Sequence, residues 1–77
     1  MEDKLTATPI ARLRAPIGGQ DIELQQIDYV HGGLSLLRIR IREGRRFTVF
    51  DIDAATAEQW ATHMADWVAS RRREGSE

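Results

Sequence analysis

The strongest pattern in the chain lies at 34–42, where Leu37, Ile39 and Ile41 alternate with Arg38, Arg40 and Arg42. A period of two with branched apolar residues predicts a strand in a sheet with one covered and one wet face. Upstream, 21–30 holds Ile22 and Leu24 in one phase and Ile27 and Tyr29 in the other. The change of phase at Gln25-Gln26 predicts a β-bulge that turns both pairs toward one core. The stretch 10–16 alternates weakly, with Ala11, Leu13 and Ala15 opposite Arg12 and Arg14, and Pro16 with Gly18-Gly19 ends it. Proline fits an edge strand and not a sheet centre, so this segment is expected at the edge. His31-Gly32-Gly33 and Gly44 mark turns, because glycine reaches positive φ without a steric penalty.

The period then changes. Ala57, Trp60, Ala61, Met64, Trp67 and Val68 recur at helical spacing and form one apolar stripe, with Glu58, Thr62, Asp66 and Ala69 facing away. Asp53 is a good N-cap. The spacing predicts a helix over 54–70, roughly 25 Å long at 1.5 Å per residue. An amphipathic helix following a one-sided meander predicts an α+β fold. An antiparallel β-meander of three to four strands would be followed by one C-terminal amphipathic helix packed on one sheet face (ββββα, two layers). Trp60, Met64 and Trp67 are expected on the helix side of the core. The single domain would span 9–70, between flexible tails at 1–8 and 71–77.

The fourth strand, 45–52, has a register set by its turn. A three-residue loop Arg42-Glu43-Gly44 pairs Ile41 with Arg45, Ile39 with Phe47 and Leu37 with Val49. It also places Leu36 opposite Phe50, both outward. A two-residue loop swaps the faces of this strand.

Composition narrows the function classes. The chain has 77 residues, 42% hydrophobic and 30% charged, as a single globular domain does. Eleven basic and twelve acidic residues give a net charge of -1. That balance speaks against a strongly nucleic-acid-binding or membrane-coating protein, unless charge is segregated locally. With no cysteine, disulfides, thiolate metal sites and cysteine nucleophiles are excluded. No apolar run nears the ~20 residues of a membrane helix, and 1–10 lacks a signal-peptide core, so the cytoplasm is the expected location. Domains this small bury only about 60% of their unfolded surface, so self-association or docking on a partner starts with a raised prior.

Candidate chemistry is sparse. His63 and Asp66 stand at i, i+3 with Gln59 one turn before, but a third ligand is missing and His31 lies in a distant turn. Ser35, Ser70 and Ser76 lie in no G-x-S-x-G elbow. Asp51 and Asp53 bracket a strand end, and capping accounts for Asp53. Gly18-Gly19 and Gly32-Gly33 lack the surroundings of a phosphate loop. No catalytic, cofactor-binding or metal residue is assigned, and a non-enzymatic protein is expected.

The arginines exceed background. Ten of the eleven basic residues are Arg. Arg38, Arg40 and Arg42 share one strand face, Arg46 is expected to join them from the next strand, and Arg12 and Arg14 from the edge. A solvated face with cross-strand partners such as Glu23 and Asp28 explains them. So does an anion-binding face, because guanidinium pairs bidentately with phosphate or carboxylate. In the three-residue-loop register, Leu36 and Phe50 add an apolar patch among these arginines, the composition of a protein interface. The expected interaction face is Arg38, Arg40, Arg42, Arg46, Leu36 and Phe50.

Two resemblances rest on particular residues. The run GRRFTVFDIDAATAEQWATHMADWVAS, 44–70, resembles small bacterial proteins of about 80 residues that form a domain of unknown function; this implies bacterial origin and no catalytic motif. The segment IRIREGRRFTVF followed by Glu58-Gln59-Trp60 is similar in layout to PC4-like single-stranded DNA-binding domains. That likeness implies a dimer with a curved basic sheet and phosphate contacts from Arg38, Arg40, Arg45 and Arg46.

The functional expectation is therefore a small protein-interaction domain, homodimeric or an accessory subunit of a larger bacterial complex, with no cofactor. Its alternative is single-stranded nucleic-acid binding through the Arg-rich sheet face.

Overall fold

The structure, a computed structural model, describes residues 4–75. Four strands, β1 (Leu5–Arg14), β2 (Asp21–Tyr29), β3 (Leu36–Glu43) and β4 (Arg46–Ile52), form one antiparallel sheet in the order β1-β2-β3-β4. A single helix, α1 (Ala54–Gly75), follows. The layout is the α+β ββββα arrangement expected from the periodicities. No helix is long and apolar enough to cross a membrane.

The termini differ from expectation. The first strand begins at Leu5 rather than Ile10, so residues 5–8 of the anticipated tail are strand, held by pairs such as Leu5 with Tyr29 and Ala7 with Ile27. Residues 71–75 continue the helix instead of fraying. Arginine is a good helix former, Arg72 and Arg73 sit in the last turn where cations favour the helix dipole, and Arg71 pairs with Glu74 at 2.9 Å. The remaining parts of both anticipated tails, 1–3 and 76–77, lie outside the described residues.

Pairing within the sheet also departs from expectation. β2 and β3 pair without interruption from Asp21–Arg42 to Ile27–Leu36, so β2 has no bulge at Gln25-Gln26. The irregularity lies in β1, between Pro9 and Ala11. The phase change in β2 has a simpler meaning. Ile22 and Leu24 face one side of the sheet, and Ile27 and Tyr29 face the other. The β3–β4 turn holds two residues, Gly44 and Arg45, between the paired Glu43 and Arg46, with Gly44 at φ 63°. A positive φ at the first central position is the demand of a tight hairpin turn, and glycine meets it. Ile39 therefore pairs with Phe50, Ile41 with Thr48 and Arg40 with Val49, which is the two-residue-loop register.

This register sorts the sheet into two faces. One carries Leu37, Ile39 and Ile41 with Ile22, Leu24, Phe50, Ile52, Ala11 and Leu13. The other carries Arg38, Arg40 and Arg42 with Arg12, Arg14, Asp21, Glu23, Asp51, Leu36, Phe47 and Val49. The helix starts one residue after β4. Asp53 caps it, its backbone carbonyl accepting from the Ala57 amide at 2.9 Å, and hydrogen bonding to Thr56 holds the Asp53 carboxyl below its ordinary pKa. On the apolar face the ring of Trp60 stacks on Phe50 at 6.0 Å. The helix meets the sheet chiefly at β3, and the molecule extends 57 Å along its long axis. The expected core is thus only partly covered. Among the described residues the buried apolar side chains are Ile27 at 0% and Ile39 at 4% exposure, whereas Met64 is 53% and Trp67 64% exposed.

Candidate functional site

Each face was built from the same alternation, and each reaches a different end. On the arginine face every β3 arginine stands directly opposite a carboxylate in the pairing register, as cross-strand pairing favours. Arg38 donates twice to Asp51, from Nε to Oδ1 at 2.8 Å and from Nη2 to Oδ2 at 3.0 Å. Arg40 donates to Glu23 at 3.0 Å. Arg42 and Arg14 share Asp21, at 2.9 and 2.7 Å. Gln25 reaches the second oxygen of Glu23 at 3.3 Å.

The electrostatics follow from these contacts. Hydrogen bonds from Arg42 and then Arg14 hold the Asp21 carboxyl below its ordinary pKa, and Arg38 does the same for Asp51. Asp51 in return raises the pKa of Arg38. Asp28, expected as an arginine partner, lies on the opposite face. It accepts from Ser35 and from Gln26, and these bonds lower its pKa.

Leu36 lies on the arginine face as anticipated, but Arg46 and Phe50 do not. The two-residue turn shifts β4 by an odd number of residues, so Arg46 and Phe50 point to the apolar side while Phe47 and Val49 take their place among the arginines. Arg40 lies over the Phe47 ring, its guanidinium carbon 5.7 Å from the centroid. Phe47 with Arg12, Arg14, Arg40 and Arg42 lines a hollow of about 550 Å³. The sequence pointed to Phe47 only through the two-residue-loop option. Chemically the β3 arginines form a ladder of paired charge, and an anion approaching them competes with carboxylates already in place.

The apolar face is satisfied only in part. Phe50 and the first two turns of α1 meet through Trp60, and Ala54, Ala57 and Glu58 border a second hollow with Leu36 and Leu37. Beyond Trp60 the stripe of Met64, Trp67 and Val68 remains exposed, as does Leu13 on β1. Monomeric soluble proteins rarely show so continuous an apolar surface without using it.

Residues 4–70 match a family of unknown function, DUF6967. The chain belongs to DUF6967. The DUF6967 match takes in all four strands and the helix through Ser70, so the arginine ladder and the whole apolar stripe to Val68 lie inside it. No curated protein and no solved structure matches the chain. For this DUF6967 member, among the described residues no group of three or more His, Cys, Asp or Glu side chains could hold a metal ion; His63 and Asp66 lie on the helix and His31 in the β2–β3 turn.

Proposed function

We propose that this chain is a non-enzymatic protein-interaction domain, working as a homodimer or as an accessory subunit of a larger bacterial assembly. Its working surface is the apolar face, formed by Phe50, Trp60, Met64, Trp67 and Val68, and differs from the arginine face anticipated from sequence. The observation that carries this is the exposure of two tryptophans and a methionine along one helix stripe, next to a sheet that buries little else. Large aromatic anchors in a desolvated patch supply most of the energy at protein interfaces.

Tryptophan emission tests the reading, because Trp60 and Trp67 are the chain's two tryptophans and both belong to the surface. In the assembled protein the expected result is blue-shifted emission with weak quenching by acrylamide. Red-shifted, freely quenched emission under every assembly condition would remove the surface from consideration.

Single-stranded nucleic-acid binding draws less support. Arg38, Arg40 and Arg42 are each held by a carboxylate, and the net charge is -1. Fluorescence polarisation with a labelled single strand checks it: little salt-sensitive binding is expected, and a steep loss of binding with salt would revive the arginine face.

A further inference from the structure

We infer that the partner covering the apolar face is a second copy of this chain, and that the two copies pair about a two-fold axis. The outer half of each helix, from Met64 onward, seats on the apolar sheet face of the other. This rests on the reading of that face as an interface and names its occupant.

The first support is surface area. The chain exposes 6383 Å². A compact monomer of 8.8 kDa exposes about 4,800 Å². The excess is about 1,600 Å² per chain, twice the roughly 800 Å² that each partner gives to an ordinary stable complex. Two copies closing that excess together bury about 3,200 Å², inside the range of obligate homodimers. The second support is shape. The radius of gyration is 15.6 Å, against about 11.5 Å for a compact chain of this length. The elongation comes with a helix that meets the sheet chiefly at β3 and leaves its outer stripe open.

The third support is complementarity within one sequence. The chain carries two incompletely covered apolar surfaces of opposite shape. One is a ridge, Met64, Trp67 and Val68. The other is a sheet surface, exposed at Phe50 and Leu13 and half-buried between them at Ile41 and Ile22. Each has the form of the cover that the other lacks. A surface containing both halves is self-complementary, and a two-fold axis satisfies both halves at once and closes the assembly at two chains. A net charge of -1 gives two copies almost no mutual repulsion to overcome.

The test combines mass, contact and shielding on the full chain. Sedimentation equilibrium at about 10 µM is expected to give about 17.6 kDa, twice 8.8 kDa. In a mixture of isotope-labelled and unlabelled chains, filtered NOE spectra are expected to show cross-peaks from the Trp67 ring to Ile22 and Ile41 of the other copy. Trp67→Glu should raise the dissociation constant by about thirtyfold, as loss of an aromatic anchor does. Ile17→Glu, at a 92% exposed turn position, should leave it unchanged. A dimer with no intermolecular helix-to-sheet cross-peaks would overturn the exchanged seating, and a mass above two chains would overturn the two-fold closure. A mass of 8.8 kDa would overturn the second copy. Freely quenched tryptophans in that monomer would leave the interaction reading standing with a different partner, whereas shielded ones would end it too, because the surface would be closed within one chain.

Discussion

The two faces of this sheet come from the same six-residue alternation in β3, yet the β3 arginines of one are each paired within the chain and the apolar residues of the other are covered only in part. Arg38, Arg40 and Arg42 each find a carboxylate on a neighbouring strand at 2.8 to 3.0 Å. Leu37, Ile39 and Ile41, one residue out of phase, find a helix that covers only part of them. Polar groups can be satisfied by one partner and by water on the open side, so a single layer suffices for them. Apolar groups need a second layer over their whole area, and a chain of this length supplies only a fraction of it. The difference teaches where to look for function in a small domain: at the face whose physical requirement the chain leaves unmet.

The comparison breaks most visibly at the two buried isoleucines, one on each face. Ile27→Ala and Ile39→Ala should each cost about 2–4 kcal/mol of stability, read by urea denaturation. If a second copy completes the face of Ile39, the loss there should vary with protein concentration, and the loss at Ile27 should not. Equal concentration dependence at both would erase the distinction between the faces. A smaller effect is expected at the turn that assigns residues to faces. Gly44→Ala places a side chain at φ 63° and should cost about 1–2 kcal/mol by thermal unfolding. Arg38→Ala should cost about 1 kcal/mol by the same measurement, the order of a well-formed surface pair, with no change in mass.

The smallest effect is on pH dependence. Asp21 and Asp51 have folded pKa values below their ordinary ones, so their contribution is complete above the unfolded carboxylate value near ~4 and is lost as pH falls through the depressed folded values. The melting temperature should be flat with pH above about 5 and fall below about 4. Asp51→Asn should make that acid limb shallower, and an unchanged acid limb would show that the Arg38 pair contributes nothing to it.

Much of this was legible in the chain. β3 declares itself because apolar and charged residues alternate strictly from Leu37 to Arg42, and α1 because a capping aspartate precedes an unbroken stripe. The start of β1 was not legible. Thr6, Thr8 and Pro9 have no apolar rhythm, and their strand conformation is supplied by β2 alongside them, a tertiary effect on a weak local preference. The phase change in β2 was visible but ambiguous, because a bulge and a strand with an apolar pair on each side leave the same trace in sequence. The placement of Phe47 and Phe50 turned on whether the loop after Glu43 holds two residues or three, and both options suit a glycine at 44. Trp60, Met64 and Trp67 were expected on the helix side of the core, and the structure leaves them 38%, 53% and 64% exposed. A stripe does not record which chain provides its cover, and here the chain's own sheet provides only the first part.

One detail of β1 bears on how such a molecule survives at high concentration. A chain that presents open strand edges and uncovered apolar surface is a candidate for runaway stacking into fibrils, strand upon strand. The outer strand carries Pro9 and, beside it, the irregularity between Pro9 and Ala11, in the middle of its length. Proline has no amide hydrogen to offer an arriving strand, and a local kink spoils the straight template that cross-β growth requires. Endless addition along that edge is obstructed, while association through the face remains open. The same few residues that make β1 hard to recognise in sequence thus guard its edge against strand-by-strand growth.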